Sequence, residues 1–220
     1  MMRRLFKPAA ALLALALLGG CAGPRKNLDY TAFKAARPHS ILVLPPVNES
    51  PDVSATYSLM SQVTFPLAEA GYYVMPVALV DETFKQNGLN NAAEISQVPA
   101  AKLRSIFGAD AALYVKVTDY GTKYMVLSSA TIVTATASLV DLKTGTTLWT
   151  GSASASSEEG QNNNGGGIIG LLITAAVKQI INSSSDAGYP IAGITSARLL
   201  SAGHPNALLY GPRSPRYGTD

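Results

Sequence analysis

Cys21 is the residue of this chain whose type and setting point most directly to a reaction. It is the only cysteine among 220 residues, so no intramolecular disulfide is open to it. It follows the small residues of Leu18-Gly19-Gly20. Its thiolate is the side-chain nucleophile suited to alkylation. The remaining chemistry-bearing residues assemble nothing comparable. His39 and His204 are the two histidines. Without a second cysteine or clustered His and carboxylate spacing, no metal site is expected. No Gly-x-Ser-x-Gly elbow occurs, although a Ser-His-Asp triad can assemble from distant positions.

Two further patterns have bland readings. Gly165-Gly166-Gly167-Ile168-Ile169-Gly170 matches Gly-x-Gly-x-x-Gly, but residues 158–164 separate it from the preceding strand. A dinucleotide fingerprint sits directly in a βα turn, so a glycine-rich loop accounts better for this one, and no cofactor is expected. Asp81-Glu82 and Glu158-Glu159 are neighbours in sequence, so their side chains diverge. The first pair suits the opening turn of a helix, where it complements the dipole; the second suits a solvated loop. Tyr72, Tyr73, Tyr114, Tyr120 and Tyr124 are read as strand packing rather than as a binding surface. The chain is therefore read as non-enzymatic.

The elements that must carry these residues fall into four stretches. Residues 1–20 have a basic start (Arg3, Arg4, Lys7), an apolar run over residues 9–18 and small residues before Cys21. The run is shorter than the ~20 residues that a membrane-spanning helix needs and fits the apolar region of a cleaved signal. Residues 21–38, polar and basic, are expected to be a tether. Residues 39–202 are expected to form one α/β (α+β) domain, and residues 203–220, rich in Pro and Gly, a flexible tail. Of 17 basic and 14 acidic residues, the signal holds three basic ones, so the mature chain is formally neutral. Neutrality leaves no electrostatic footprint for nucleic acid. With 47% apolar and 14% charged residues, a single ordinary core is expected.

Within the domain, the continuous apolar run Ile41-Leu42-Val43-Leu44, closed by Pro45-Pro46, predicts a strand buried on both faces. Tyr57, Met60, Val63, Leu67 and Ala70 recur at helical spacing over residues 54–70, with Pro66 as a kink. A strand over residues 72–77 and helices over 79–87 and 99–107 follow. After Asp110 the period becomes two: Leu113, Val115 and Val117 alternate with Tyr114, Lys116 and Thr118. Residues 129–140, a turn over 141–145 with Gly145 at positive φ, and residues 146–156 complete an antiparallel meander. A mixed sheet with a βαβα start and helices on at least one face results.

Residues 168–181 predict an apolar helix broken only by Thr174, Lys178 and Gln179. A helix on one sheet needs an apolar face of only about 100°. The excess, with Ile169, Leu172, Ile173, Ala176 and Ile180 as candidate interface residues, is covered either by a helix over 191–200 or by a second protomer in a homodimer.

Leu18-Gly19-Gly20-Cys21 resembles the lipobox of bacterial lipoproteins. The resemblance implies cleavage before Cys21, acylation of its thiol and anchoring in outer-membrane lipid, since Ala22 rather than Asp follows. A second resemblance rests on an ordered set of motifs. These are residues 41–48 (Ile-Leu-Val-Leu-Pro-Pro-Val-Asn), 71–77 (Gly-Tyr-Tyr-Val-Met-Pro-Val), 107–111 (Phe-Gly-Ala-Asp-Ala), 120–124 (Tyr-Gly-Thr-Lys-Tyr) and 139–145 with Leu148-Trp149. Together they resemble an outer-membrane lipoprotein family typified by a candidate meningococcal surface antigen. The match implies a fold like the N-terminal domain of TolB, shared with curli-secretion-channel lipoproteins and with lipoprotein activators of peptidoglycan synthases. It carries over no catalytic residue. The expected role is an interaction or assembly module that engages other envelope proteins. The alternatives are a regulator of a peptidoglycan synthase or a periplasmic small-ligand binder.

Overall fold

The apolar run that opens the domain forms β1 (Ser40–Val43), and Ile41, Leu42 and Val43 are wholly buried. Each parallel neighbour removes one edge: β3 (Tyr73–Val74) pairs on one side and β4 (Ala111–Tyr124) on the other. The computed structural model describes residues 28–124, 129–159 and 186–220. In it, β4 continues into an antiparallel meander with β5 (Ser129–Asp141) and β6 (Thr147–Ser156). The sheet order is β3-β1-β4-β5-β6. The mixed α/β architecture is the one expected.

One strand was not anticipated. β2 (Val47–Asn48) pairs with β4 in parallel, on the same edge as β1. The Leu44 and Glu49 amides donate to Leu113 and Val117 on either side of the break. Pro45 and Pro46 lack the N–H groups that the ladder needs, so they interrupt one strand line rather than ending it.

Helices cover the two faces unequally. On the first face lie α1 (Thr31–Ala36), α2 (Ala55–Gln62), α3 (Thr64–Glu69) and α7 (Gly188–Leu200). They bury Phe33, Leu59, Val63, Leu67 and Ile191 against Leu113, Val133, Leu139 and Trp149. On the second face lie α4 (Val77–Gln86), α5 (Ala92–Ile95) and α6 (Ala100–Phe107). Their Val80, Phe84, Ile95 and Leu103 meet Leu42, Leu44, Ala112 and Leu142. That second layer reaches only the parallel strands and the start of β4. Beyond it the meander shows solvent a row of small polar residues, which explains its period of two.

Several boundaries differ from expectation. Residues 54–70 make two helices, with Pro66 in the first turn of α3, where a missing N–H costs nothing; it is not a mid-helix kink. The strand expected over 72–77 shortens because Pro76 caps α4. The expected tether of 21–38 contains α1, whose Phe33 is 3% exposed, so the folded region begins by Leu28. The expected flexible tail is docked. Ala207, Leu208 and Leu209 are buried. The Gly211 and Arg213 amides donate to Ala70 and Gly71 carbonyls at 2.8 and 3.0 Å. Gly71 makes this approach possible: its φ is +100°, and a Cβ there would lie 2.5 Å from the Ser214 nitrogen. Proline and glycine in this segment build turns against a surface.

Candidate functional site

The polar side chains of the described residues are mostly engaged in holding elements together. At the start of α7, Asp186 Oδ2 accepts from Ser58 Oγ at 3.0 Å and Tyr120 OH at 2.8 Å. Its Oδ1 accepts from the Gly188 amide at 2.9 Å. Burial above all, then the Asp186 carboxylate, pushes the Tyr120 phenol up against a lowering by Ser58. The phenol therefore stays protonated and donates. Among the described residues no imidazole joins this hydrogen-bond set. The cluster clasps α7 to α2 and β4.

Ser40, His39 and Asp110 are the nearest approach to a triad composition, but their roles are reversed. Asp110 Oδ2 accepts from the His39 amide at 2.9 Å and from the Ser40 amide and hydroxyl at 3.0 Å. The Asp110 amide donates back to Ser40 Oγ at 3.0 Å. In a triad the carboxylate holds an imidazole and leaves the serine to it. Here it holds the serine itself. Burial raises the carboxyl of Asp110, and these hydrogen bonds more than offset it, leaving the group below its usual range. This is a second clasp, joining the starts of β1 and β4.

Two surfaces remain. The first is a cleft of about 320 Å³ between α1 and the C-terminal segment, lined among others by Phe33, Lys34, Arg37, Tyr72, Leu209 and Tyr217. Tyr72 donates to the Leu209 carbonyl at 2.6 Å, and burial pushes its phenol up. Lys34 Nζ reaches the Asp220 backbone carbonyl at 2.8 Å. The second is the uncovered face of the meander, where Tyr114, Lys116, Thr136, Ser138, Thr150 and Ser152 line a shallow groove. Lys116 pairs there with Glu49 at 2.8 Å.

Cys21, Ala22, Ile169, Leu172, Ile173, Ala176 and Ile180 lie outside the described residues, as does the glycine pattern of residues 165–170. Asp81 pairs with Lys85 at 2.6 Å, and Glu82 accepts from Gln86 at 3.0 Å. Glu159 pairs with Arg198 at 2.5 Å. The five tyrosines form no common surface: Tyr72 and Tyr120 are buried, while Tyr73 and Tyr124 are exposed. Among the described residues no group of His, Cys, Asp and Glu could hold a metal ion, and no helix is long and apolar enough to cross a membrane. The cleft escaped sequence reading because the segment that closes it reads as a tail. Its one signal is the apolar Ala207-Leu208-Leu209 between Pro205 and Pro212.

The family model described as "Putative lipoprotein GNA1162-like" matches residues 28–213. The "Putative lipoprotein NMB1124/NMB1162" of Neisseria meningitidis serogroup B (strain ATCC BAA-335 / MC58) is 50% identical over 212 residues, 96% of this chain and 97% of its own. The crystal structure of lipoprotein GNA1162 from Neisseria meningitidis is similar at 55% identity with a TM-score of 0.54, over 66% of this chain and 99% of that one. A PelC dodecamer structure from Paraburkholderia phytofirmans is similar at 13% identity and a TM-score of 0.42, over 79% of this chain and 91% of its own. None of these names carries an enzymatic activity. With the family pattern running through nearly the whole folded region, and half of all residues shared with a relative matched almost end to end, the chain belongs to the GNA1162-like lipoprotein family.

Proposed function

We propose that the chain is an outer-membrane lipoprotein that works by assembly rather than catalysis. Acyl chains on Cys21 hold the domain at the membrane, Ala22 permits passage to the outer membrane, and the surfaces of the domain engage other envelope proteins. One observation carries this reading. The polar clusters of the described residues, around Asp186 and Asp110, clasp secondary-structure elements, whereas no described residue covers the second face of the three-stranded meander. Leu28, the first described residue, lies seven residues after Cys21, a span of at most about 25 Å when fully extended. That reach keeps the domain beside its own membrane and disfavours a regulator of a synthase on the far side of the periplasm.

The test has two arms. Labelled palmitate is expected in the native chain and absent from Cys21→Ala, and Ala22→Asp is expected to move the chain towards the inner membrane. In cells, crosslinking followed by purification from membranes is expected to recover envelope proteins. Recovery of the chain alone would reject assembly, and firm membrane association of Cys21→Ala would reject the anchor. A homodimer through Leu172 and its neighbours is part of the same reading. Leu172→Glu is expected to dissociate it in sedimentation without unfolding the domain.

A second reading, a small-ligand binder, is favoured by the cleft beside α1, whose volume sits at the low end of the roughly 300–1,000 Å³ that ligand sites occupy. A ligand held there raises the melting temperature, and Phe33→Ala removes that rise.

A further inference from the structure

The neutral mature chain is electrically lopsided. Residues 22–39 and 203–220 hold six basic residues (Arg25, Lys26, Lys34, Arg37, Arg213 and Arg216) against Asp29 and Asp220. The rest of the mature chain holds eight basic and twelve acidic residues. These two stretches are far apart in sequence, and the fold brings them together. The Leu28 amide donates to Asn206 Oδ1 at 3.0 Å, Tyr30 OH to the Ala207 carbonyl at 2.6 Å, and Lys34 Nζ to the Asp220 carbonyl.

The sheet fixes which end this is. Ser40 lies beside Tyr73, and Ala111 beside Asp141, at the end where α1, the C-terminal segment and the β5–β6 turn with Lys143 meet. Of the carboxylates at this end, Glu69 lines one hollow with Arg216, and the other four are tied to the chain. Asp29 accepts from Thr31, Asp110 from Ser40, Asp141 from Thr144 and Asp220 from the Tyr210 amide. The opposite end, where Tyr124 faces Ser129 and Ile132 faces Ser156, carries Asp119, Glu158 and Glu159, of which Asp119 pairs with Lys123 and Glu159 with Arg198. Aromatic rings accompany the cations at the basic end. The Arg213 guanidinium lies 5.1 Å from the Tyr73 ring centre, and Arg216 Nη1 donates to Tyr210 OH at 3.0 Å. Tyr73 and Tyr217 are 43% and 44% exposed.

Leu28, the first described residue, lies at this same end, its amide donating to Asn206, whose carbonyl accepts from Trp149 Nε1 at 3.0 Å. Seven residues separate it from Cys21. We infer that the end formed by α1 and the C-terminal segment lies on an anionic phospholipid surface, with Lys34, Arg37, Arg213 and Arg216 on the phosphates and Tyr73 and Tyr217 at headgroup depth. Basic side chains near an anionic membrane attract it individually, and tyrosine is at home at the headgroup boundary. A basic patch is also the usual second signal beside an acyl chain. The orientation rests on the anchor reading above; the surface chemistry does not. The opposite end then points away from the lipid and is left open to partners.

The test uses the unacylated mature chain, residues 21–220 with Cys21→Ser, sedimented with vesicles. It is expected to pellet with phosphatidylethanolamine vesicles containing phosphatidylglycerol, not with phosphatidylcholine alone. Binding is expected to vanish near 1 M salt, where the screening length falls to roughly 3 Å. Lys34→Gln, Arg37→Gln, Arg213→Gln and Arg216→Gln are each expected to lower vesicle partition about fivefold. Lys34→Arg, which keeps the charge, is expected to bind as the parent does, and Lys116→Gln and Lys123→Gln likewise. Near-UV circular dichroism of Trp149 reports whether each variant stays folded; where one does not, the remaining single variants and Lys34→Arg decide. Equal pelleting with both vesicle types, or equal losses in the Lys116 and Lys123 variants, overturns the proposal. No acyl chain is present in this measurement, so its failure leaves the palmitate result untouched, and a failed palmitate label leaves this result standing.

Discussion

The two faces of the sheet are built to different rules. On the first, four helices and the C-terminal segment cover all five principal strands, and the ring of Trp149 lies against Gly151, where a Cβ would come within 2.3 Å of it. On the second, the three short helices among the described residues cover only the parallel strands and the first residues of β4. Strands covered on both sides read as unbroken apolar runs, as in Ile41–Leu44. Strands covered on one side alternate, as in β5, where Val133, Ala135, Ala137 and Leu139 are buried and Thr136 is exposed. The difference teaches that period, more than composition, records how many layers a strand supports. It also says where instability will be concentrated.

The largest effect is expected on the fully covered face. Trp149→Ala removes a ring that is 3% exposed and its hydrogen bond to Asn206, and is expected to cost about 3–5 kcal/mol. The C-terminal segment should loosen with it, because Asn206 also receives the Leu28 amide. Chemical denaturation together with proteolysis of residues 203–220 checks both. A loss below about 1 kcal/mol would mean that the segment, not the ring, closes this face.

Phe84→Ala strikes the smaller layer, where Phe84 meets Phe107 with ring centres 5.3 Å apart. It is expected to cost roughly 3 kcal/mol. Hydrogen exchange sharpens the contrast. Amides of α4, α5 and α6 are expected to exchange early while the β4–β5 ladder stays protected, since the meander's own core is on the other face. Simultaneous exchange of both would show that the two layers form one cooperative unit.

Asp110 sits at the start of the strands that both layers cover, and its effect is smaller and depends on pH. Its folded value lies below the ordinary 3.8, so the ionised form is favoured by folding. Its contribution is complete above that ordinary value and is lost as the pH falls below it, through the folded value. Asp110→Asn is expected to cost on the order of 1 kcal/mol near neutrality, after allowing for solvent at this half-buried group, and to flatten the loss of stability on acidification. An unchanged acid limb would assign acid sensitivity to other carboxylates.

The smallest effect belongs to the uncovered face. Thr136→Ala and Ser152→Ala remove side chains that are exposed among the described residues, and thermal melts are expected to move by no more than about 0.5 kcal/mol in stability. A loss of 2 kcal/mol or more would show that part of the chain outside the described residues covers this face.

Much of the architecture was legible because it is local. The four-residue apolar run, the glycine after each of α4 and α6, and the two-residue alternation of β4 and β5 each follow from contacts within one element. The turn of residues 141–146 was equally plain: Gly145 has a φ of 75°, and Asp141 accepts from Thr144 at 2.9 Å. What was not legible depends on distant partners. β2 is two residues long and exists only because β4 offers it an edge. α1 buries a single phenylalanine, too little for any period to show. Of the site, Cys21 and Ala22 could be named from neighbouring residues alone, whereas the cleft and the basic end could not.

The chain's own residues therefore determined the fold class, the order of its main elements and the layering of each strand, since all of these are written in spacings of four residues or fewer. The tertiary structure decided the two ends. It docked residues 203–220 through Leu208, Leu209 and the amides that reach Ala70 and Gly71, and shortened the tether by folding α1 over Phe33. It also gathered basic residues from both termini at the end where Leu28 lies. A net charge of zero says nothing about such a separation, because the sum over a sequence discards position, and the field at a surface depends on position alone.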